Sequence, residues 1–275
     1  MCVIGAGSNI GANFIKLNAR NREFKLVATQ KDFSSNIDID LHKLYLGQDK
    51  LSFKVASKIR ESDVIIFLAE PRAEKVTEKS GWNPRNITQV TRHMPEESIL
   101  IYLSSSRIFN GRECRVSETQ KTHPVDGYGK RKLDTEKIIL ESVRNYAIVR
   151  VSKVITEQDR LLKKLANIEL EEDGISLMSR KCAGFTSLNQ CSKMLTLLIH
   201  QNLTGILNFA PNKSMSYYDL GRGYLEANNR KFLGRLTPDE SLPSRQHDCL
   251  ENSSVFGPQR ENLDSIWDGL NSLRL

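Results

Sequence analysis

The chain is sparing with paired cysteines. Cys2, Cys114, Cys182, Cys191 and Cys249 are the five in 275 residues, and no two stand as Cys-x-x-Cys. An odd number at wide spacing argues against a zinc ribbon and against a disulfide framework. The reading is therefore free thiols in a reducing compartment, with no metal expected. Long apolar runs are missing too: none reaches the ~18 residues that suggest a membrane-spanning helix. The opening MCVIGAG lacks the basic and long apolar regions of a secretory leader. The expectation is a cytoplasmic protein with no membrane partner. The Lys and Arg behind the net charge of +7 are scattered, without a long basic run or interleaved aromatics. That argues against a nucleic-acid partner and suits a phosphate-rich small ligand instead. Internal repeats and low-complexity tracts are also absent.

What is present is an ordinary globular composition, 39% hydrophobic and 27% charged. Over roughly the first 150 residues, apolar runs of strand length alternate with helical stretches. Cys2–Ile4, Lys25–Ala28, Asn36–Asp40, Asp63–Ala69, Ser98–Ser104 and Tyr146–Val154 read as strands. Ala12–Ala19, Leu51–Arg60, Asn83–Met94 and Leu133–Val143 read as helices, the third opened by Asn83 as cap and Pro84 as first helical residue. The alternation predicts an α/β fold, a doubly wound parallel sheet of Rossmann type. Beyond Ile155 the pattern changes. Asp159–Glu172, Ser187–Gln201 and Ser216–Asn228 read as helices, Gly205–Ala210 as a strand, and Pro238–Pro258 as a polar, mobile loop. The organisation expected is a nucleotide-binding domain, residues 1–155 with 185–210, and a smaller C-terminal substrate-binding lobe, residues 156–184 with 211–275.

Two motifs carry the chemistry. The first follows Ile4: Gly5-Ala-Gly7-Ser8-Asn9-Ile10-Gly11, then helix. Strand, Gly-rich turn and helix form the context of a dinucleotide-binding loop, where backbone N–H groups at a helix N-terminus meet a pyrophosphate. After the second strand, the acidic residue that would bind the ribose hydroxyl of NAD is missing; Thr29 and Lys31 stand nearby, which leans to NADP. The second motif is Tyr128-Gly-Lys-Arg-Lys132 at the head of a helix. Positions i and i+4 share a helix face, so phenol and ammonium can enter one cleft. A phenol titrates near ~10 unaided and a nearby cation favours its charged form, which suits proton transfer to an alcohol or ketone oxygen. Gly5, Ala69, Ser105 and Lys153 all fall at or just past strand ends, where ligands sit in such sheets.

These residues resemble the extended short-chain dehydrogenase/reductase superfamily, and within it the dTDP-4-dehydrorhamnose reductases and, more loosely, nucleotide-sugar epimerases and dehydratases. VIGAGSNIG stands where that family has its Gly-x-x-Gly-x-x-Gly turn. DVIIFLAE, LSSSRIFNG, IVRVSKV and above all PVDGYGKRKLDTEK are similar to its later strands and its Tyr-Gly-x-x-Lys helix. FTSLNQCSKMLTLLI and GILNFAPNKSMSYYDLGRGYLE are similar to the end of the sheet and the start of the substrate lobe. The resemblance implies Tyr128 as acid/base, Lys132 as its partner and Ser105 as the catalytic hydroxyl. It implies that Gly5, Gly7, Ser8, Asn9, Ile10 and Gly11 line the pyrophosphate. Asp38 and Ile39 would lie near the adenine, and Leu68, Ala69 and Glu70 beside the cofactor, NADP or NAD. The substrate would be a nucleotide-sugar, met by Ser106, Arg107 and Lys153. Three departures stand out: Ser8 replaces a family glycine, Ser106-Arg107 an Asp-Tyr pair, and Lys153 a Trp. The last two suit a more anionic substrate. The activity implied is reduction of a keto group, with epimerisation or a catalytically silent cofactor-binding regulator as alternatives. Relatives of this kind often dimerise through two sheet-flanking helices, here about Asn83–Met94 and Tyr128–Val143, so the resemblance implies a homodimer as one option.

Overall fold

In a computed structural model of the chain, the structure describes residues 1–21, 23–30, 39–44, 51–69, 84–156, 159–211, 213–228 and 230–259. Fourteen strands are described. They are β1 (Cys2–Ile4), β2 (Val27–Gln30), β3 (Asp40–Lys43), β4 (Val64–Phe67), β5 (Ile99–Ser105), β6 (Tyr146–Val151) and β7 (Lys153–Ile155). Then come β8 (Ile175–Met178), β9 (Cys182–Ala183), β10 (Phe185–Ser187), β11 (Gly205–Phe209), β12 (Met215–Ser216), β13 (Leu236–Asp239) and β14 (His247–Asp248). The helices are α1 (Asn9–Asn18), α2 (Phe53–Arg60), α3 (Thr88–Thr91), α4 (Gly127–Ser142), α5 (Arg160–Ala166), α6 (Leu188–His200) and α7 (Tyr217–Asn228). Among the described residues, no helix is long and apolar enough to cross a membrane.

Seven strands form one sheet in the order β11-β6-β5-β4-β1-β2-β3, and the run from β5 to β3 is parallel throughout. This is a doubly wound Rossmann-type α/β fold. β1 is buried along its whole length, as an apolar run in the middle of a sheet covered on both faces must be. The order reverses beside β1, with β2 on one flank and β4 on the other. Such a switch point opens a crevice at the carboxyl ends of the strands.

The chain divides into two compact units. The first comprises Met1–Phe109, Thr122–Arg150 and Asn189–Leu207. Its core packs Ile4, Ile65, Phe67, Leu100, Tyr102 and Ile148 of the sheet against Val55 and Ile59 of α2 and Ile139 of α4. The second comprises Asn110–Lys121, Val151–Leu188 and Asn208–Leu275. There Leu162 and Leu165 of α5 and Leu220, Tyr224 and Leu225 of α7 pack with Ile175, Phe185 and Leu236.

Several sequence expectations change. The run Tyr146–Val154 is two strands, because the chain leaves the seven-stranded sheet at Ser152 and β7 pairs in parallel with β10. The helix expected over Asp159–Glu172 stops at Ala166. Asn167 ends it by donating its side-chain amide to the Lys163 carbonyl at 2.8 Å, the local competition for backbone groups that makes Asn a poor helix interior residue. Of the helix expected over Asn83–Met94, Asn83 lies outside the described residues, and the described part holds a 3₁₀ turn, Pro84–Ile87, and the single turn α3. Pro238–Pro258 is not the expected polar loop: Arg245, Asp248, Cys249, Leu250 and Ser253 are buried. The order there is long-range. Gln246 and His247 donate backbone N–H groups to the Gly111 carbonyl, and Arg245 pairs with Asp248 at 2.5 Å. Strand β3 begins at Asp40, and residues 36–38 of the expected strand lie outside the described residues.

Candidate active site

The Gly-rich turn sits where β1 runs into α1. Gly5 adopts φ +91°, a conformation L side chains rarely take. A Cβ there would also lie 2.5 Å from the Ala69 backbone nitrogen, so glycine lets the ends of β1 and β4 close on one another. Gly5 and Ala6 donate their N–H groups to the Thr29 carbonyl at 3.0 and 2.9 Å, tying the turn to β2. Ser8 is the N-cap of α1, with its hydroxyl accepting from Gly11 N at 3.0 Å. Its φ of −73° is open to any L residue, so the position does not require the family's glycine. Gly11 does: a Cβ would meet the Gly5 carbonyl at 2.6 Å. Gly7 is exposed, and Asn9 and Ile10 are half-buried in the first turn of α1. The remaining N–H groups of that first turn and the positive end of the helix are suited to an anion.

Around this turn, Leu68 is buried and donates its N–H to the Ile4 carbonyl at 2.8 Å, and Ala69 is half-buried beside Gly5. Thr29 is fully buried, and its hydroxyl has no hydrogen-bond partner. Ile39 is half-buried just before β3. Lys31, Asp38 and Glu70 lie outside the described residues.

The second half of the site is the first turn of α4 and the end of β5. Asp126 caps the helix, its Oδ1 accepting from Gly129 N at 2.8 Å. Tyr128 is half-buried one residue into the helix. One turn on, Lys132 is 5% exposed, its Nζ donating to the Leu103 carbonyl at 2.6 Å. The same ammonium lies 5.7 Å from the Tyr128 ring centroid and 4.8 Å from that of Tyr102. The helix therefore brings Tyr128 and Lys132 together over β5. Ser105, the last residue of β5, is buried, and its Oγ accepts from Arg107 N at 3.3 Å. Arg107 links the two elements. Its guanidinium lies 5.7 Å over the Tyr128 ring and donates to Asp126 Oδ2 at 2.9 and 2.6 Å. Ser106 is buried in the 3₁₀ turn Ser106–Ile108.

Three residues of the PVDGYGKRKLDTEK stretch take supporting roles that the sequence reading did not assign. Asp126 serves both as helix cap and as partner of Arg107. Gly129 allows α4 to touch that 3₁₀ turn, because a Cβ would run into the Arg107 carbonyl oxygen. Glu136, two turns beyond Tyr128, forms a fully buried ion pair with Arg150 of β6 at 2.9 Å. The motif marks their positions, but each role is defined by what the residue meets across the fold. Lys153 belongs to the second unit, where its Nζ pairs with Asp159 at 2.8 Å. Of the two segments named above for a homodimer, α4 packs against Pro84–Ile87 within the chain.

A Gly-rich turn at the switch point of a parallel sheet, with a Tyr and a buried Lys on α4 over β5, defines an α/β protein of the Rossmann class. The family described as the RmlD substrate binding domain matches residues 1–242. The chain belongs to this family, that of the dTDP-4-dehydrorhamnose reductases among the extended short-chain dehydrogenase/reductase-like proteins. Methionine adenosyltransferase 2 subunit beta of Rattus norvegicus is 25% identical over 182 residues, 59% of this chain and 48% of that protein. The chain thus spans about half the length of the curated relatives it matches first. dTDP-4-dehydrorhamnose reductase of Aggregatibacter actinomycetemcomitans is 20% identical over 232 residues, 80% of this chain and 76% of that protein. Among solved structures, dTDP-4-dehydrorhamnose reductase of Bacillus anthracis in complex with NADP superposes with a TM-score of 0.75 at 18% identity, covering 99% of this chain and 96% of that one.

Proposed function

We propose that the chain is an NAD(P)-dependent reductase of a keto group on a nucleotide-activated sugar. The observation that carries this reading is the buried ammonium of Lys132 set 5.7 Å from the ring of Tyr128, at the end of the strand that carries Ser105. The B. anthracis relative that shares the fold was crystallised with NADP. The residues present fit such a cofactor. Gly5 and Gly11 keep side chains out of the turn, and the first turn of α1 offers N–H groups to a pyrophosphate. Leu68 and Ala69 would flank it, and Lys132 would reach the nicotinamide ribose. A nicotinamide, when bound, supplies the hydride.

The chain's own residues supply the proton and hold the oxygen. Tyr128 gives its phenolic proton to the substrate oxygen as negative charge develops there. Lys132 counters the charge left on the phenol, and its bond to the Leu103 carbonyl holds the ammonium in place. Ser105 turns its hydroxyl to donate to the same substrate oxygen. Asp126 holds the Arg107 guanidinium 5.7 Å over the Tyr128 ring, where it would meet an anionic group of the substrate. Replacing Tyr128 by Phe should cut turnover by about 10²–10⁴-fold while leaving calorimetric binding of NADPH unchanged. The assay is loss of reduced-cofactor absorbance with keto nucleotide-sugars. Full turnover by the Phe variant would remove Tyr128 from the reaction.

A second reading has support of its own. Relatives at 25% identity are named as a subunit of a methionine adenosyltransferase, and the family's Asp-Tyr pair is Ser106-Arg107 here. On that reading the chain binds the cofactor as a regulatory subunit and turns nothing over. NADPH binding with no turnover on any keto-sugar tested favours it.

A further inference from the structure

The reductase reading leaves the cysteines without a role; three of them lie in the second unit, two of them grouped with a histidine. Cys114 comes from the segment Asn110–Lys121, Cys182 from β9, and His247 and Cys249 from β14 and the residue beyond it. One ligand atom each of Cys114, His247 and Cys249 all lie within 4.8 Å of one another. Their backbones are held to this meeting. His247 N donates to the Gly111 carbonyl at 2.9 Å, Val116 N to the Cys249 carbonyl at 3.4 Å and Glu251 N to the Val116 carbonyl at 2.9 Å. Cys182 and His247 are in register on the parallel pair β9–β14, so their side chains project to the same face. His247 keeps its Nδ1 buried with no hydrogen-bond partner. An imidazole nitrogen in that state is available to a Lewis acid.

We propose that Cys114, His247 and Cys249 bind a zinc ion, with Cys182 supplying the fourth position of a closed tetrahedron. Two thiolates and an imidazole form the donor set that zinc prefers over the hard oxygen-seeking cations. Zinc–ligand bonds of ~2.3 Å to sulfur and ~2.0 Å to nitrogen put tetrahedral ligands about 3.5–3.8 Å apart, so atoms now within 4.8 Å need move by only about 1 Å. The ion would tie together three stretches of chain far apart in sequence, in a unit whose strands β9, β12 and β14 are only two residues each. Its role is structural, and it is independent of the chemistry proposed for Tyr128.

The test uses the whole chain, purified without chelator, with zinc counted by plasma mass spectrometry. About one zinc per chain is expected, and adding a strong chelator should lower the melting temperature. Cys114 is exposed, so Cys114→Ser leaves the core intact; it should weaken zinc affinity at least about tenfold in competition with a chromogenic chelator. His247→Ala should do the same. Should a variant lose its fold, the parent chain still decides. Titrated with Co²⁺, it should develop the near-ultraviolet thiolate-to-cobalt band and the intense visible bands of a tetrahedral site. A parent chain without zinc that gives no thiolate band with Co²⁺ overturns the proposal. So does a Cys114–Cys249 disulfide found in chain purified with zinc present.

Discussion

Glu136 and Arg150 offer the sharpest test of how the site is held. The two side chains are 1% and 4% exposed, and Arg150 Nη2 and Nε donate to the two carboxylate oxygens at 2.9 and 3.3 Å. The guanidinium also lies 5.4 Å over the Phe109 ring. Replacing Glu136 by Leu removes the carboxylate that Arg150 is bonded to and keeps the guanidinium buried. Breaking such a pair from one side costs about 3–5 kcal/mol, a large share of the 5–15 kcal/mol that holds a typical domain together. At about 2–4 °C per kcal/mol for a domain of this size, the melting temperature should fall by about 6–20 °C. The double variant Glu136→Leu, Arg150→Met should recover most of that loss. It removes both charges and keeps an unbranched stem against Phe109. Urea denaturation of the parent, both single variants and the double variant gives the coupling energy directly. A single Glu136→Leu loss below about 1 kcal/mol, or a double variant no more stable than the sum of the singles predicts, would refute the reasoning.

Two further outcomes follow from close approach and burial. Gly129→Ala drives a methyl group into the Arg107 carbonyl, a backbone atom that cannot swing aside. Overpacking should cost about 1–3 kcal/mol against a helix-propensity gain of at most ~1, so urea melts should record a net loss; an equally stable Ala variant contradicts the packing of α4 on Ser106–Ile108. Burial pushes the thiols of Cys2 and Cys191 up to about 12. Because only the thiolate reacts, and a raised value keeps both groups protonated, iodoacetamide labelling of either in the native chain should stay negligible from about pH 7 to 9. Peptide mass spectrometry before and after unfolding in urea checks this, and native-state labelling at either position contradicts it.

How much of this was legible depends on how local each cause is. The strands β1, β4 and β5 could be read because a strand buried on both faces must be an apolar run. The turn Gly5–Gly11 could be read because its glycines answer to atoms a few residues away and to one neighbouring strand. Ser8 stood out as a departure, yet its hydroxyl simply caps α1. What could not be read is set by distant partners. The break at Ser152 depends on β10, more than thirty residues on, and the order within Pro238–Pro258 depends on Gly111 and Val116. The gathering of Cys114, His247 and Cys249 has the same origin. Spacing rules search for ligands within one loop, and these come from segments more than a hundred residues apart.

Helix α4 explains why a Tyr and a Lys four residues apart carry weight here and little in an arbitrary helix. Asp126, Tyr128, Gly129, Lys132 and Glu136 each fix a different degree of freedom. Asp126 sets where the helix starts and, through Oδ2, holds Arg107. Gly129 sets how closely the first turn approaches the end of β5. Lys132 reaches back to the Leu103 carbonyl of that strand, and Glu136 reaches across to Arg150 of the next. With one end against β5 and the middle bonded to β6, the helix has little freedom to rotate about its axis. Tyr128 then meets one position above the strand ends rather than a range of them. Orientation of this kind is worth more to a proton transfer than the identity of the donor alone. It follows that variants at Gly129 and Glu136, neither of which is proposed to touch substrate, should lower turnover more than they weaken cofactor binding.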